Sequence, residues 1–270
     1  MKFLNFSMNL FRISKEGLQM ATLEEEVKKF RPVIMGLSHF ALIGKKIVIK
    51  GKENFVRTGP NIVIGNHIGT FKDIATLFKV IPKPIFFTAN KMLFTRDEFN
   101  QLVRRHLKRH LKNFGLCLDF ILNPIKSLLI NYISANIAKV GTIPVDIYKS
   151  KRLAMTTCQE YLKQGRSIIT LQGRGRVMKK SPHPYVSPFK SGASILSYNM
   201  YKEEGISVPV TPLAIIGTQV PFLVPAKIKV NVGEPMHITN YISGGFSETV
   251  QRFRDALEMR VQSLLEELIR

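Results

Sequence analysis

Asn61-Ile62-Val63-Ile64-Gly65-Asn66-His67-Ile68-Gly69-Thr70-Phe71-Lys72-Asp73 is the stretch around which the rest of the chain is organised. Its apolar run, Ile62 to Ile64, is β-branched throughout and too short for a helix, so it reads as a buried strand. Gly65 and Gly69 bracket the histidine and suit a tight strand-to-helix turn that needs permissive backbone. Thr70 is placed to cap a helix over residues 71–81, with Asp73 at the third helical position and Pro82 closing the helix. His67 then falls at a strand's carboxyl end, where open α/β sheets build their sites. Two readings of the pair stay open. In one, His67 bonds a backbone group while Asp73 completes a capping box and favours the helix dipole. In the other, Asp73 folds back to hold one imidazole nitrogen and leaves the second free to take a proton from a bound hydroxyl.

On the N-terminal side, Thr22 with Glu25 opens a helix, and Val27, Phe30, Ile34, Leu37, Phe40 and Leu42 give it an apolar face up to Gly44. Residues 1–44 are therefore read as an amphipathic helical entry segment. Lys28, Lys29, Arg31, Lys45 and Lys46 flank its apolar face, which suits a membrane interface or a seat on the main domain. Strands are expected at Lys46–Lys50, Ile62–Ile64 and Pro84–Thr88. A basic amphipathic helical stretch, Arg96 to Lys139 with a break near Gly115, follows. It reads either as a solvated face over core or as a surface for lipid headgroups or an acidic carrier. His106 and His110 are spaced i, i+4, but no third ligand accompanies them, so no metal is assigned.

Beyond that, Gly141–Asp146 is extended, Lys149–Lys163 helical and Ser167–Leu171 a buried strand. Gln172-Gly173-Arg174-Gly175-Arg176 follows, in which two glycines and two arginines at a strand's end can approach a phosphate through amides and guanidinium forks. The same loop, taken alone, also reads as a plain surface turn. A helix is expected at Phe189–Lys202 with Lys190 in its first turn, then strands at Val208–Ile216 and Ala226–Val232, and a closing amphipathic helix at Phe246–Leu268. Strands alternating with helices predict an α/β fold, a mixed, largely parallel sheet flanked by helices.

The 270 residues carry 40 Lys and Arg against 19 Asp and Glu, a net charge of +21. An anionic partner follows from that balance, with phosphate as the common element. Nucleic acid is the least favoured such partner, because no recognised binding motif accompanies the charge. Hydrophobic content of 45% with 22% charged residues excludes a largely disordered chain. Cys117 and Cys158 stand alone, outside any CxxC or His-rich pattern, so neither a disulfide framework nor a zinc site is expected. No segment reads as a cleavable signal or a membrane-spanning helix, since the longest uncharged stretch, Gly205–Ala226, is broken by four prolines.

Taken in order, several blocks resemble the glycerolipid acyltransferase family, whose best known members are the 1-acylglycerol-3-phosphate acyltransferases. They are Asn66-His67 with Asp73, Phe87 to Phe94, Gly141-Thr142-Ile143-Pro144-Val145-Asp146, Leu171 to Arg176, Phe189-Lys190-Ser191-Gly192-Ala193, Val208 to Pro212, and Val232-Gly233-Glu234-Pro235. The resemblance implies an acyltransferase domain over residues 45–270, with a helical insertion at about 96–139. It also implies acyl transfer from coenzyme A or acyl carrier protein, as co-substrate rather than cofactor, to the hydroxyl of a lysophospholipid at the cytoplasmic face of an anionic membrane. His67 would be general base, Asp73 its orienting carboxylate, Gly173, Arg174, Arg176 and Lys190 the acceptor-phosphate site, and Lys91 would face the donor. A different acceptor, or a catalytically silent phospholipid-binding protein, is the alternative. Three departures stand out. Five residues separate His67 from Asp73 where the family usually has four, with Lys72 in the expected Asp position. Leu171-Gln172-Gly173-Arg174-Gly175 stands where the family has Pro-Glu-Gly-Thr-Arg. The inserted helical stretch is the third. A one-residue bulge in the Gly69 turn is expected to restore the His67 to Asp73 contact.

Overall fold

The computed structural model describes residues 25, 29, 31, 32, 34–105, 123–137, 139, 141–145, 152–173 and 175–270. It divides into two compact units: the larger comprises Met35–Asn90 and Ile143–Arg270, and the remaining described residues belong to the smaller. The smaller unit contains helices α3 (96–105) and α4 (Asn123–Asn136).

The strands are β1 (Lys45–Lys50), β2 (Asn61–His67), β3 (Ile85–Asn90), β4 (Thr142–Val145), β5 (Ser167–Gly173), β6 (Val210–Ile216) and β7 (Ala226–Val232). They form one sheet in the order β1-β7-β6-β2-β5-β3-β4. β2 runs parallel to both β5 and β6, β3 parallels β5, and β1 parallels β7, while β6 and β7 form an antiparallel hairpin. The mixed, mostly parallel α/β sheet expected from the sequence is thus present. Central β2 is buried along Asn61–Asn66, the pattern of a strand covered on both faces. Edge strand β1 alternates between half-buried and exposed, with Ile47 and Ile49 on the side packed against the core.

Register sorts the two faces. Val63, Ile169, Leu213, Ile215, Ile228 and Val230 pack with Ala75, Leu77 and Val80 of helix α2 (Phe71–Val80) and with Ala41 at the end of α1 (34–41). On the opposite face, α7 (Phe246–Ile269) buries Phe253, Leu257, Val261 and Leu264. It is tied to β7 by the Asn231 amide, which donates to the Leu264 carbonyl at 3.0 Å. Helices α5 (Arg152–Lys163) and α6 (Gly192–Glu204) complete that layer. Fully burying a side chain of this size contributes about 1.5–3 kcal/mol, so the α7 stripe alone is a large part of what holds that face closed.

Candidate active site

β2 extends past its apolar run to His67, and the side chain of Asn66 carries the pairing further than the backbone ladder does. The β2–β6 register ends at Gly65 and Leu213. Beyond it the Asn66 amide donates to the Ile215 carbonyl at 2.9 Å and accepts from the Ile215 N–H at 2.8 Å, while also donating to the Tyr185 carbonyl at 3.0 Å. A fully buried side-chain amide so satisfied fixes the strand end from which the histidine projects. In the sequence Asn66 stands out only as part of the Asn66-His67 block, and an asparagine ending an apolar strand is the signal for its role.

His67 Nδ1 lies 2.7 Å from Asp73 Oδ2. That same oxygen accepts from the Ile68 N–H at 2.9 Å and the Gly69 N–H at 2.8 Å. Asp73 is fully buried, whereas 23% of the His67 side chain is exposed. A carboxylate receiving two main-chain N–H bonds is fixed in place, so the imidazole presents N–H at Nδ1 and its lone pair at Nε2. Asp73 therefore folds back to hold one imidazole nitrogen.

The fifth intervening residue is absorbed at Thr70. Its φ of 52° and ψ of −124° are those of the first central residue of a type II′ turn, closed by the Lys72 N–H donating to the Gly69 carbonyl at 3.1 Å. A β-branched residue there costs on the order of 1–3 kcal/mol. Thr70 is the residue before α2, as expected, but its hydroxyl donates to the Gly69 carbonyl at 2.7 Å and caps no helix amide. The strained turn points that side chain away from the amides, and Asp73 reaches back in its stead. Gly69 itself touches the next wall: a Cβ there would lie 2.3 Å from Thr218. Lys72 is buried and donates to the Val220 carbonyl. Desolvation lowers its pKa below the ordinary 10.5, nearby Lys45 adds to that, and Asp73 opposes it.

Opposite the ring lies the glycine loop. Gly173, at φ +136°, would place a Cβ 2.7 Å from the His67 carbonyl, and Gly175, at φ +68°, would place one 2.8 Å from Thr70 Cγ2 and 3.3 Å from His67 Nε2. Both positions need glycine, for conformation and for space. Gly173 and Gly175 are therefore beside the imidazole. Arg174 lies outside the described residues, as do Asp146, His106 and His110; Arg176 is half-buried. Lys190 is exposed and precedes α6, which begins at Gly192 rather than near Phe189. The shift arises because the main chain at 190 is held elsewhere: its N–H donates at 3.0 Å to Gln172 Oε1, whose Nε2 donates to Thr170 at 3.1 Å. Gln172 thus draws the segment around Lys190 to the end of β5. Lys91 is exposed in a short 3-10 turn, Lys91–Leu93, at the start of the smaller unit's 91–142 segment.

Among the described residues no group of three His, Cys, Asp or Glu side chains could hold a metal, and no helix is long and apolar enough to cross a membrane. The seven-stranded mixed sheet with its flanking helices forms a glycerolipid acyltransferase-like fold. In particular, the structure is similar to that of the 1-acyl-sn-glycerophosphate (LPA) acyltransferase PlsC from Thermotoga maritima. The TM-score is 0.52 over 89% of this chain and 82% of that one, at 20% sequence identity. At that identity the likeness establishes a shared fold. No protein-family model matches the chain, and no curated protein matches it in sequence.

Proposed function

We propose that this chain is an O-acyltransferase that moves a fatty acyl group from a thioester donor, acyl-CoA or acyl carrier protein, to the hydroxyl of a lysophospholipid resembling lysophosphatidic acid. The observation that carries the reading is the 2.7 Å contact of His67 Nδ1 with a buried Asp73 whose Oδ2 is also held by two backbone amides. A neutral alcohol attacks a thioester slowly at neutral pH until its proton has an acceptor. His67 Nε2 takes that proton as the hydroxyl oxygen bonds to the thioester carbon, and Asp73 stabilises the imidazolium formed. The tetrahedral adduct collapses by breaking the carbon–sulfur bond, and Nε2–H protonates the departing thiolate. The ester and the free thiol are the products, and His67 returns to its starting state without an acyl-enzyme.

Gly173 and Gly175 keep the space beside Nε2 open for backbone to approach the acceptor, and Arg174, Arg176 and Lys190 supply cations for its phosphate. Lys91 would serve the donor. With +21 net charge, the chain would work at an anionic membrane face, peripherally and on the cytoplasmic side. Gln172 supports the second reading, a related acyltransferase with another acceptor, because its amide is already engaged with Thr170 and the Lys190 N–H.

Incubating the full chain with labelled acyl-CoA and a panel of lysophospholipids tests this directly. Esterified product from lysophosphatidic acid is the expected result. Product only from a lysolipid without a phosphomonoester selects the second reading, and no product from any acceptor or donor overturns the enzyme.

A further inference from the structure

The loop joining β6 to β7 sends its tip, Phe222–Val224, out to solvent and its base inward. Thr218, at that base, is fully buried, and its Oγ1 has no hydrogen-bond partner among the described residues. Asp73 is fully buried as well, and its bonds all fall on Oδ2, from His67 Nδ1, the Ile68 N–H and the Gly69 N–H. Oδ1 of the same carboxylate has no partner among the described residues. A donor short of an acceptor and an acceptor short of a donor thus lie about one residue, Gly69. Its N–H is given to the carboxylate, and a Cβ built on it would lie 2.4 Å from Thr218 Oγ1.

Thr218 is held there from both sides. Asn66 fixes Ile215 through its N–H and its carbonyl, so the segment that leads to Thr218 leaves from the same strand end that carries the imidazole. Gly217 follows at φ +98°, where a Cβ would lie 2.1 Å from the Lys227 carbonyl. Its N–H donates to Gln219 Oε1 at 2.8 Å, and the Val220 N–H donates to its carbonyl at 3.3 Å. Beyond, Lys72 donates to the Val220 carbonyl and Lys45 to the Pro221 carbonyl, the latter at 2.9 Å. Thr218 therefore sits in a braced turn, its side chain against the turn that carries His67.

A carboxylate oxygen taken out of water without a donor is costly, and so is a hydroxyl without a partner. One bond between them removes both costs. The other hydroxyls near Asp73 are committed elsewhere: Thr70 donates to the Gly69 carbonyl at 2.7 Å and Thr76 to the Lys72 carbonyl at 2.7 Å. A threonine hydroxyl turns freely enough to serve whichever acceptor its surroundings leave open.

We infer that Thr218 is a positioning residue for the His67–Asp73 pair: its hydroxyl donates to Asp73 Oδ1, directly or through one bridging water. The hairpin base then holds the carboxylate by its second oxygen. With both oxygens bonded the carboxylate cannot rotate, and Oδ2 stays on Nδ1 while Nε2 gains and loses the proton. Only that consequence for turnover rests on the acyltransferase reading; the hydrogen bond does not.

Thr218→Val keeps the shape and removes the donor, whereas Thr218→Ser keeps the donor. An unbonded hydroxyl would be well replaced by valine, and the melting temperature would hold or rise. A hydroxyl bonded to Asp73 gives the opposite sign: Thr218→Val lowers the melting temperature by about 2–4 °C, and the loss disappears when the same substitution is made in an Asp73→Ala chain. These melts read the bond without turnover. In acyl transfer, Thr218→Val lowers kcat about tenfold and leaves KM for donor and acceptor within about twofold, and Thr218→Ser recovers most of the rate. If the valine chain does not fold, Thr218→Ser and Thr218→Ala take its place, with serine the more stable in the parent and no such advantage in Asp73→Ala. A Thr218→Val protein at least as stable as the parent, or one that loses equally in both backgrounds, overturns the inference, and so does parental kcat in that variant. A parent that transfers no acyl group loses the enzymatic reading while the melts still decide the bond. Melts of the wrong sign beside an active parent leave the enzyme standing and remove Thr218 from its machinery.

Discussion

Among the described residues two histidines have a side-chain partner within hydrogen-bond reach, and they are built differently. His67 Nδ1 meets a buried carboxylate that is itself held by the Ile68 and Gly69 amides. His237 Nδ1 lies 3.1 Å from the Ser207 hydroxyl, which is also 3.5 Å from Thr239 Oγ1. The second pair has the composition of a nucleophile and its base, yet among the described residues no carboxylate holds the ring. A hydroxyl beside an imidazole arises wherever a turn needs a polar contact. A carboxylate taken out of water is kept there only by several donors converging on it. The difference teaches where to look for chemistry: at the second partner of the histidine, not the first.

Breaking that second partner should have the largest effect. Asp73→Asn keeps the shape but removes the charge and the tautomer control, and acyl transfer should fall by about 10³–10⁴-fold. Asp73→Ala adds a folding defect, since the Ile68 and Gly69 amides lose their acceptor at about 1–3 kcal/mol each; denaturant unfolding of the two variants side by side separates the effects. Gly175→Ala comes next. Its Cβ meets Thr70 and Nε2 at a φ of +68°, so a loss of about 1–2 kcal/mol and a lower kcat with little change in donor KM are expected.

Lys72→Met sharpens the comparison through pH. Burial lowers the Lys72 pKa below 10.5, so the folded chain sheds this proton earlier than the unfolded one. The stability tied to neutral Lys72 is fully present above 10.5 and is lost as pH falls through the lowered value, giving a rise in stability with pH across that window. The methionine variant should lack this rise in melts taken across the alkaline range. His237→Ala gives the smallest effect: about 1 kcal/mol of stability for the lost hydrogen bond and acyl transfer within twofold of the parent. A large activity loss there would erase the distinction between the two histidines.

Much of this was legible in the chain because local signals agreed. The β-branched run at Ile62–Ile64 and the glycines on either side of His67 place the strand and turn within a few residues, and the order of blocks points to the sheet. What the sequence concealed was long-range. Nothing local marks Thr70 as the residue that takes a positive-φ backbone to absorb the fifth spacer position; Thr218, which packs on Gly69, and the Val220 carbonyl, which receives Lys72, come from a hairpin about 150 residues away. Lys190 looked like a first-turn helix residue because Phe189 continues the apolar pattern, but the Gln172 amide captures its N–H and delays the helix to Gly192. The outward apolar tip at Phe222–Val224 was equally hidden, since an uncharged proline-rich stretch reads as buried structure until its ends are paired.

The central claim is that His67 Nε2 removes the acceptor's proton, and single-turnover acyl transfer by purified His67→Ala, at saturating donor and acceptor and with its melting temperature matched to the parent, tests it most directly. A fall of about 10²–10⁴-fold in the rate of ester formation is predicted. A folded His67→Ala protein that forms ester at the parent's rate would contradict it.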